Sequence, residues 1–415
     1  MFETLFRYPA IIARHRDGPF AEDRERFLEY RSSQGLASTT LQQIAQELLA
    51  VAERIEVTNG PHVSFAAIEK AAELWVRQQL QRKRAHETRW SRQQFMRTAL
   101  DWLRFLGRLE IPTLKAVPFA DRLVTFAAYQ RDERGLSPNT IRNQNWQLEK
   151  FLLWLNERNR TLADVSLEDV DIFLAEKGNA GWCRVSVAAS AKALRAFFCY
   201  ATTQGGCARS IADGIDGPRL FQHEGLPVGP SWLDVQRLIA STIGDSAQDV
   251  RDRAILILLA TYGLRSGEVT DLRFEDVNWE TETLSIRRSK QRRVQEYPLV
   301  SIAGEAILRY LQCARPRCKQ RQLFLTLRAP NRQLSQGALY DMVRKRLDAL
   351  DIQVPRRGPH SLRHACAGHL VTEGFSLKEI GDHLGHSSAF ATRVYAKVDL
   401  AGLREVADFD LGGLR

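Results

Sequence analysis

The sequence predicts a mainly α-helical protein with a small antiparallel β-sheet. Apolar residues recur at helical spacing through most of the chain, as they do in Ser137–Arg158. Strand signals are sparse and concentrate in Thr281–Val300. A glycine- and proline-rich stretch, Ile215–Ser231, marks a linker between N-terminal helical modules and a C-terminal α+β domain.

Local signals place several helices. Apolar positions repeat at helical intervals after Ser137, and Ser166–Lys177 opens with a serine cap. Val185–Gly206 is a third predicted helix, which ends at paired glycines. Beyond the linker, Ser231 starts a new helix with Asp234 at the capping-box position.

A faint internal repeat divides the N-terminal part. The segment that begins at Pro19 resembles the one that begins at Pro118, with phenylalanine, tyrosine, glycine and threonine at matched positions. This pattern favours two related helical modules in tandem over a chance likeness between amphipathic helices. The predicted domains are a helical module, 1–112; a second helical module, 113–215; a linker, 216–230; and the C-terminal domain, 231–415.

The strand signal reads as a hairpin. Leu284 and Ile286 alternate with polar residues, a turn follows, and a second strand returns toward Pro298. Lys290 lies near the predicted tip.

Composition limits the function classes. The 415 residues are enough for about two to four domains, and the net charge of +10 favours a polyanionic partner, either nucleic acid or an anionic membrane surface. The N-terminus is a poor signal peptide, and the apolar run Ala254–Leu264 is too short to span a membrane, so we expect a soluble intracellular protein. Six scattered cysteines favour reduced, mostly buried thiols.

A cluster of metal-ligand residue types first suggests a metal site. Its members are His360, His364, Cys366, His369, His383 and His386. His360 and His364 have the spacing of a helical ligand pair, but no glutamate lies between them. Arg363 would also place a fixed positive charge beside the cation. These two features disfavour a metal.

A second hypothesis is a helix-turn-helix. The segment His369–Ser387 reads as a helix, a turn at Gly374 and a second helix, which is typical of bacterial DNA-binding proteins. This hypothesis does not explain the residues before and after the segment.

A third hypothesis makes Tyr395 a nucleophile. A tyrosine hydroxyl is weak at neutral pH, so its attack on a phosphodiester requires cations that neutralise the developing charge. Arginine keeps its proton and matches two phosphate oxygens, and the leaving oxygen needs a proton donor. The chain supplies such a set in order: Arg265, Lys290, His360, Arg363, His386 and Tyr395.

This ordered set resembles the tyrosine recombinase, or phage integrase, family. The matching motifs are Gly263-Leu264-Arg265 with Glu268, Lys290 on a hairpin, His360-Ser361-Leu362-Arg363-His364, Leu384-Gly385-His386, Thr392, and Tyr395 nine residues after His386. The resemblance covers residues 225–405 and, more weakly, 113–215. It implies that 113–215 is a helical core-binding (SAM-like) DNA-binding domain and that 231–415 is the catalytic domain with a C-terminal tail. The lysine turn lacks the family's usual glycines, and the N-terminal 110 residues exceed its minimal architecture.

The resemblance implies a role for each residue. Tyr395 forms a 3′-phosphotyrosyl link, Arg265 and Arg363 stabilise the phosphorane, and Lys290 protonates the leaving 5′-oxygen. His360 is implied as a general acid or base, and His386 as a donor to a non-bridging oxygen. Glu268 and His364 are supporting residues; each could instead be an ordinary ion-pair or packing residue.

The resemblance also implies partners. The substrate would be double-stranded DNA recombination sites, with Arg142, Arg184, Lys192 and Arg195 as contacts or merely solvated helix residues. A homo-tetramer on synapsed DNA, accessory or partner recombinases, and a cytoplasmic, nucleoid-associated mobile-element integrase follow by analogy. No cofactor, metal or ATP is expected, and no membrane. Two rivals remain, a catalytically inactive DNA-binding regulator and a type IB topoisomerase.

Overall fold

The chain folds mainly into helices, with its named strands in one three-stranded antiparallel sheet. The computed structural model describes residues 1–55, 62–81, 88–110, 119–204, 209–220, 229–288, 293–386, 392 and 394–395. The predicted fold class is confirmed. The chain separates into two compact units, residues 1–53 with 223–415 and residues 54–222. Within the described ranges, no helix is long and apolar enough to cross a membrane.

The unit of residues 54–222 is helical. Its helices are α5 (Phe65–Gln81), α6 (Thr88–Phe105), α7 (Ala120–Asp132), α8 (Pro138–Glu157), α9 (Leu167–Asn179), α10 (Arg184–Thr203) and α11 (Arg209–Gly214). The predicted start of α8 is confirmed, because the Ser137 hydroxyl accepts from the Thr140 N–H. Ser166 and Asp169 form a capping box on α9. The glycines predicted to stop α10 lie outside the described residues.

The core of this unit forms where apolar helix faces meet. Phe151 of α8 contacts Phe173 of α9 and Phe198 of α10 edge to face. The opposite faces stay in water, so Arg142 and Lys192 are exposed. Packing therefore fixes which charges of α8 and α10 are available to a partner.

Four helices open the other unit: α1 (Phe2–Leu5), α2 (Pro9–Arg16), α3 (Ala21–Ser33) and α4 (Ser38–Ala52). Helices α3 and α4 form a contacting pair, as do α7 and α8. The residue before each pair, Phe20 or Phe119, has a positive φ, of 54° and 65°. Positive φ is uncommon for residues other than glycine. This shared feature supports the repeat, whereas the boundaries at 112 and 215 stay predictions.

The C-terminal part of the same unit contains the sheet. Its helices are α12 (Trp232–Ala240), α13 (Ala247–Tyr262), α14 (Ser266–Asp271), α15 (Ser301–Cys313), α16 (Gln336–Ala349), α17 (Pro359–Thr372) and α18 (Leu377–Leu384). The strands are β1 (Val277–Asn278), β2 (Thr283–Arg288) and β3 (Arg293–Pro298), in the order β1-β2-β3. The predicted cap at Ser231 is confirmed, since its hydroxyl accepts from the Asp234 N–H.

Helix α13 is the central element of this part. Its residues 254–260 are all buried, and it packs against α15 and α17. A helix that is apolar on all sides is stable only inside a core. The run taken from the sequence as too short for a membrane is therefore a core helix, and it ends at Gly263, beside the candidate site.

The predicted hairpin is confirmed. Strands β2 and β3 pair antiparallel, with Leu284 opposite Tyr297 and Ile286 opposite Gln295. Alternation buries Leu284, Ile286 and Arg288 on one face. Lys290 belongs to the connection 289–292, which lies outside the described residues.

The expectation of mostly buried thiols is wrong for the described cysteines. Cys183, Cys199, Cys313 and Cys318 are exposed free thiols, and Cys366 is buried. Cys199 lies on the outer face of α10 and Cys313 at the end of α15, where neither faces a core. The spacing of the cysteines in the sequence does not show whether each one lies on a buried or an exposed helix face.

Candidate active site

Arg265 enters the site where α13 ends. Gly263 adopts a left-handed conformation with φ of 56°, and a Cβ there would lie 2.4 Å from Leu384. Glycine permits both the turn and this close approach. The chain then presents Arg265 as the N-cap residue immediately before α14, with its side chain 30% exposed.

Glu268 lies between two arginines. Its carboxylate accepts from the backbone N–H and the guanidinium of Arg265, both at 2.8 Å. It also accepts from the buried Arg288. Burial alone would raise the pKa of Glu268, but the hydrogen bonds and charge of Arg288 and Arg265 hold it below its usual value. Glu268 is thus an anion that fixes the placement of the cations around it.

Arg363 is buried deep in α17. It is 2% exposed, and it donates to the carbonyls of Gly263 at 2.6 Å and Leu384 at 2.8 Å. Burial, and then the charge of Arg265, lowers the pKa of Arg363 to about 10, so the side chain is still a cation at neutral pH. Both of these acceptors are backbone carbonyls and carry no full negative charge. The positive charge of the Arg363 guanidinium can therefore attract an anion.

Side chains from several elements meet at the C-terminal end of α18. The carbonyls of residues 382, 383, 384 and 385 each accept from a side chain distant in sequence, and the donors in that order are Gln295, Tyr297, Arg363 and Arg265. The last carbonyls of a helix lack partners within it and carry the negative end of its dipole. The predicted helix-turn-helix pair, α17 and α18, does form, and the end of its second helix anchors both arginines.

We expect Gly385→Ala to disturb this end. Gly385 has φ of 60°, and a Cβ would lie 2.5 Å from Nε of Arg288 and 2.7 Å from Oε1 of Gln295. The left-handed backbone alone costs about 1–2 kcal/mol for alanine. The free energy of unfolding in urea should fall by more than in the matched control Gly374→Ala, where φ is 84° and no atom lies within 4 Å. Equal losses in the two variants would contradict the close contact.

The Tyr395 hydroxyl is buried against His364. The residue is 3% exposed, and its oxygen lies 3.0 Å from Nδ1 of His364, a hydrogen-bond distance in which either group can donate. Burial raises the pKa of Tyr395 to about 12, although the charges of Arg363 and Arg265 act in the opposite direction. The phenol is therefore protonated at neutral pH and must lose its proton to react.

His386 is oriented by Thr392. Its Nδ1 lies 2.8 Å from the threonine hydroxyl, and its ring is parallel to that of Tyr395 with centroids 6.5 Å apart. Burial and then Arg363 lower the pKa of His386 to about 4, so the ring is neutral at pH 7. When the Thr392 hydroxyl donates to Nδ1, the proton lies on Nε2, which can then donate to an anion.

His360 stands at the edge of an open basic cleft. It is exposed, and its ring meets that of His364 edge to face at 4.5 Å. The cleft has a volume of about 610 Å³, and its described lining includes Arg344, Arg356 and Arg357 but no carboxylate. Among the residues that the structure describes, none forms an ion pair with Arg356. A cleft of this charge suits an anionic chain that passes His360.

The structure brings most predicted site residues together. Arg265, Glu268, Arg363 and His386 meet at the end of α18, and His364 and Tyr395 form a direct contact. His360 adjoins His364, whereas Lys290 lies outside the described residues.

The predicted DNA-contact residues differ in their surroundings. Arg142 donates to Asn139 of its own helix at 3.2 Å and is exposed, as are Arg184 and Lys192. Arg195 donates instead to the Ile215 carbonyl and to Asp216. The role of each of the four as a DNA contact stays a prediction. Arg195 could bind a phosphate only by giving up its hydrogen bonds to Ile215 and Asp216.

The metal hypothesis finds no matching geometry in the described part of the chain. No three histidine, cysteine, aspartate or glutamate side chains there lie in positions that could hold one ion. His364 contacts Tyr395, His383 lies 3.0 Å from the Thr261 carbonyl, and Cys366 is buried nearby. His383 and Cys366 thus both contact the Thr261 carbonyl, whereas His364 contacts the Tyr395 hydroxyl.

Sequence reasoning missed Arg288, Gln295 and Tyr297. Arg288 is fully buried and donates to Glu268 and to both hairpin residues. The signal was present in the strand pattern, because Leu284, Ile286 and Arg288 occupy alternate positions and share a face. An arginine at the third position of a buried face requires a polar partner, and Glu268 supplies it.

Family models match both parts of the chain that carry these features. Residues 233–401 match the model of the phage integrase family, and residues 123–205 match that of the phage integrase N-terminal SAM-like domain. The chain belongs to this family, the tyrosine recombinases.

Curated relatives and a solved structure agree with this assignment. A Sinorhizobium fredii protein named as an integrase/recombinase (y4rA) is 34% identical over 285 residues, which are 68% of this chain and 69% of that protein. Tyrosine recombinase XerD of Corynebacterium glutamicum is 32% identical over 298 residues, 68% of this chain and 95% of that one. The XerH site-specific recombinase bound to palindromic difH substrate shares the fold, with TM-score 0.55, 17% identity, and 93% and 94% of the two chains covered.

Proposed function

We propose that the protein is a site-specific recombinase that cuts and rejoins DNA strands through Tyr395. The observation that carries the proposal is the arrangement of two fixed arginines, Arg265 and Arg363, around one helix end beside a buried tyrosine. The charges of Arg363 and Arg265 both act to lower the pKa of that phenol, against the larger effect of burial, which supports their proposed role beside the reacting oxygen.

The proposed first step is a transesterification. The Tyr395 oxygen attacks the scissile phosphorus, a P–O bond to tyrosine forms, and the P–O5′ bond breaks. The phenol proton leaves to a base, and the freed 5′-oxygen takes a proton from Lys290. Arg265, Arg363 and His386 stabilise the added charge on the non-bridging oxygens.

His364 and His360 are the proton acceptors proposed for Tyr395. Burial and then the charge of His360 lower the pKa of His364 to about 4, so it is neutral and has a lone pair to offer. A phosphate bound beside it would raise this pKa, because negative charge favours imidazolium. His360 is the exposed member of the pair and can exchange the proton with water.

The proposed chemistry requires neither ATP nor a metal. The arginines supply the positive charge, and the phosphotyrosyl ester keeps the energy of the broken phosphodiester. A 5′-hydroxyl from a partner duplex then attacks this ester and restores Tyr395. Exchange between duplexes implies an assembly on paired recombination sites, for which we propose a homo-tetramer.

The test is covalent trapping in EDTA. The substrate is a nicked duplex that carries the sequences bordering the gene's own DNA element, so that the short cut strand diffuses away. We expect an adduct that resists SDS, with Tyr395 in the modified peptide by mass spectrometry. Specific binding without an adduct would favour a DNA-binding regulator. Relaxation of supercoiled DNA that lacks recombination sites would favour a type IB topoisomerase.

The basic cleft predicts a separate effect on affinity. We expect Arg356→Gln to weaken DNA binding and to reduce the slope of log K against log salt by about one, as for the loss of one phosphate contact. The adduct yield at saturating protein should not change. Arg309→Gln on α15, an exposed arginine outside the cleft, is the control. An unchanged salt slope in Arg356→Gln would count against a phosphate in the cleft.

A further inference from the structure

Arg288 is a buried cation that the proposed chemistry does not use. It is 1% exposed at the end of β2, and three side chains on two elements, α14 and β3, accept hydrogen bonds from it. Its guanidinium donates to Glu268 at 2.5 Å, to Gln295 Oε1 at 3.2 Å, and to the Tyr297 hydroxyl. A Cβ added at Gly385 would lie 2.5 Å from its Nε.

One set of its bonds leads to Arg265. Glu268 is shared, with one carboxylate oxygen accepting from Arg288 and the other from the Arg265 guanidinium. Arg265 in turn reaches the Gly385 carbonyl through a long bond of 3.5 Å. Arg288 therefore fixes the carboxylate that orients Arg265.

The other set leads to the segment that precedes His386. Gln295 donates to the Asp382 carbonyl at 2.7 Å, and Tyr297 donates to the His383 carbonyl. Arg288 holds both of these hairpin side chains through its own donors. A side chain at position 385 would collide with the Arg288 guanidinium, so glycine is what allows the end of α18 to pack against Arg288.

A buried ion pair is weak evidence for stability, because an apolar residue of similar size often serves as well. The neighbours of Arg288 on the same strand face, Leu284 and Ile286, are apolar. An arginine here instead presents a planar fork that bonds three partners at fixed angles. Its position suits a role in geometry.

We propose that Arg288 is a positioning residue for strand cleavage, which holds Arg265 through Glu268 and the His386 segment through Gln295 and Tyr297. This role rests on the proposed function. Arg288 itself is not proposed to contact the DNA or the reacting atoms.

The test compares Arg288→Lys and Arg288→Met with wild type. We expect single-turnover cleavage of saturated, prebound duplex to slow by about 100-fold in Arg288→Met, as misplacement of reacting groups can cause. Arg288→Lys, which keeps the charge but loses the fork, should recover only part of the rate. The DNA dissociation constant should stay within twofold.

Hydrogen–deuterium exchange supplies a readout that does not depend on activity. The amides of Gly385 and His386 bond to the carbonyls of residues 382 and 381. Peptides covering 377–386 should exchange faster in Arg288→Met, whereas α15 should not change. Arg346→Met is the matched control, since Arg346 is a largely buried arginine paired with buried Asp252 in the same unit. It should leave both the 377–386 exchange and the cleavage rate unchanged.

Cleavage by both Arg288 variants within twofold of wild type would overturn the proposal, as would unchanged exchange in 377–386. Should Arg288→Met fail to fold, Tyr297→Phe removes one bond to Arg288 and one to His383, and a smaller change in the same two readouts is expected. A wild type that forms no adduct would instead contradict the proposed cleavage, and exchange alone would then decide whether Arg288 holds the α18 end.

Discussion

Tyr395→Phe should form no covalent adduct with DNA while it binds the same duplex with unchanged affinity. The substitution removes only the hydroxyl, which is the proposed nucleophile and the partner of His364 at 3.0 Å. The ring remains to fill its buried place beside Cys366 and Leu384. The lost hydrogen bond should cost about 1 kcal/mol of stability. The measurements are adduct yield after SDS, DNA affinity by fluorescence anisotropy, and the urea midpoint.

Tyr310→Phe is the matched control for this result. Tyr310 is also fully buried in the same unit, and its hydroxyl accepts from the Leu325 N–H at 3.2 Å. This control should lose a similar amount of stability and keep a full adduct yield. An adduct in Tyr395→Phe would show that another residue is the nucleophile and would sink the proposed mechanism.

Arg363→Leu should cause the second largest loss of DNA cleavage. A buried, preorganised cation at a developing phosphorane is worth about 10²–10³ in rate, so cleavage should fall by at least that factor. The carbonyls of Gly263 and Leu384 would also lose a donor, at about 1–3 kcal/mol for each group left unpaired. Single-turnover cleavage and the free energy of unfolding measure the two effects.

A neutral substrate separates charge from structure in this variant. When a methyl group replaces one non-bridging oxygen of the scissile phosphate, the phosphorane carries less negative charge to stabilise. The difference in single-turnover cleavage rate between wild type and Arg363→Leu should then be smaller than on the ordinary phosphodiester. A deficit of the same size on both substrates would mean that Arg363 acts only by holding Gly263 and Leu384 together.

Much of the fold followed from local sequence signals. The helices after Ser137, Ser166 and Ser231 were predictable because a cap and an apolar period act within a few residues. The hairpin followed from strict alternation, which is also local. The cysteine exposures did not follow, because burial of a small thiol depends on which face of a helix meets its neighbours.

The candidate site was predictable as a set of residue types in order, and the resemblance to a family made that order meaningful. Its internal geometry was not predictable. Sequence spacing placed Glu268 beside Arg265 on one helix turn but could not show that a buried arginine from β2 shares the same carboxylate. It also left His364 as a packing or supporting residue, whereas the structure places it on the Tyr395 hydroxyl.

The sequence by itself determined the fold class, the order of the site residues and the caps that start α8, α9 and α12, because those depend on short-range periodicity and chemistry. Only the tertiary structure decided that the end of α18 is the point where they meet. Arg265 and Gly385 are 120 residues apart in sequence, and their contact exists only after α13, α17, α18 and the hairpin have packed. Long-range packing brings four side-chain donors to the carbonyls at the end of α18, and no local pattern encodes that meeting.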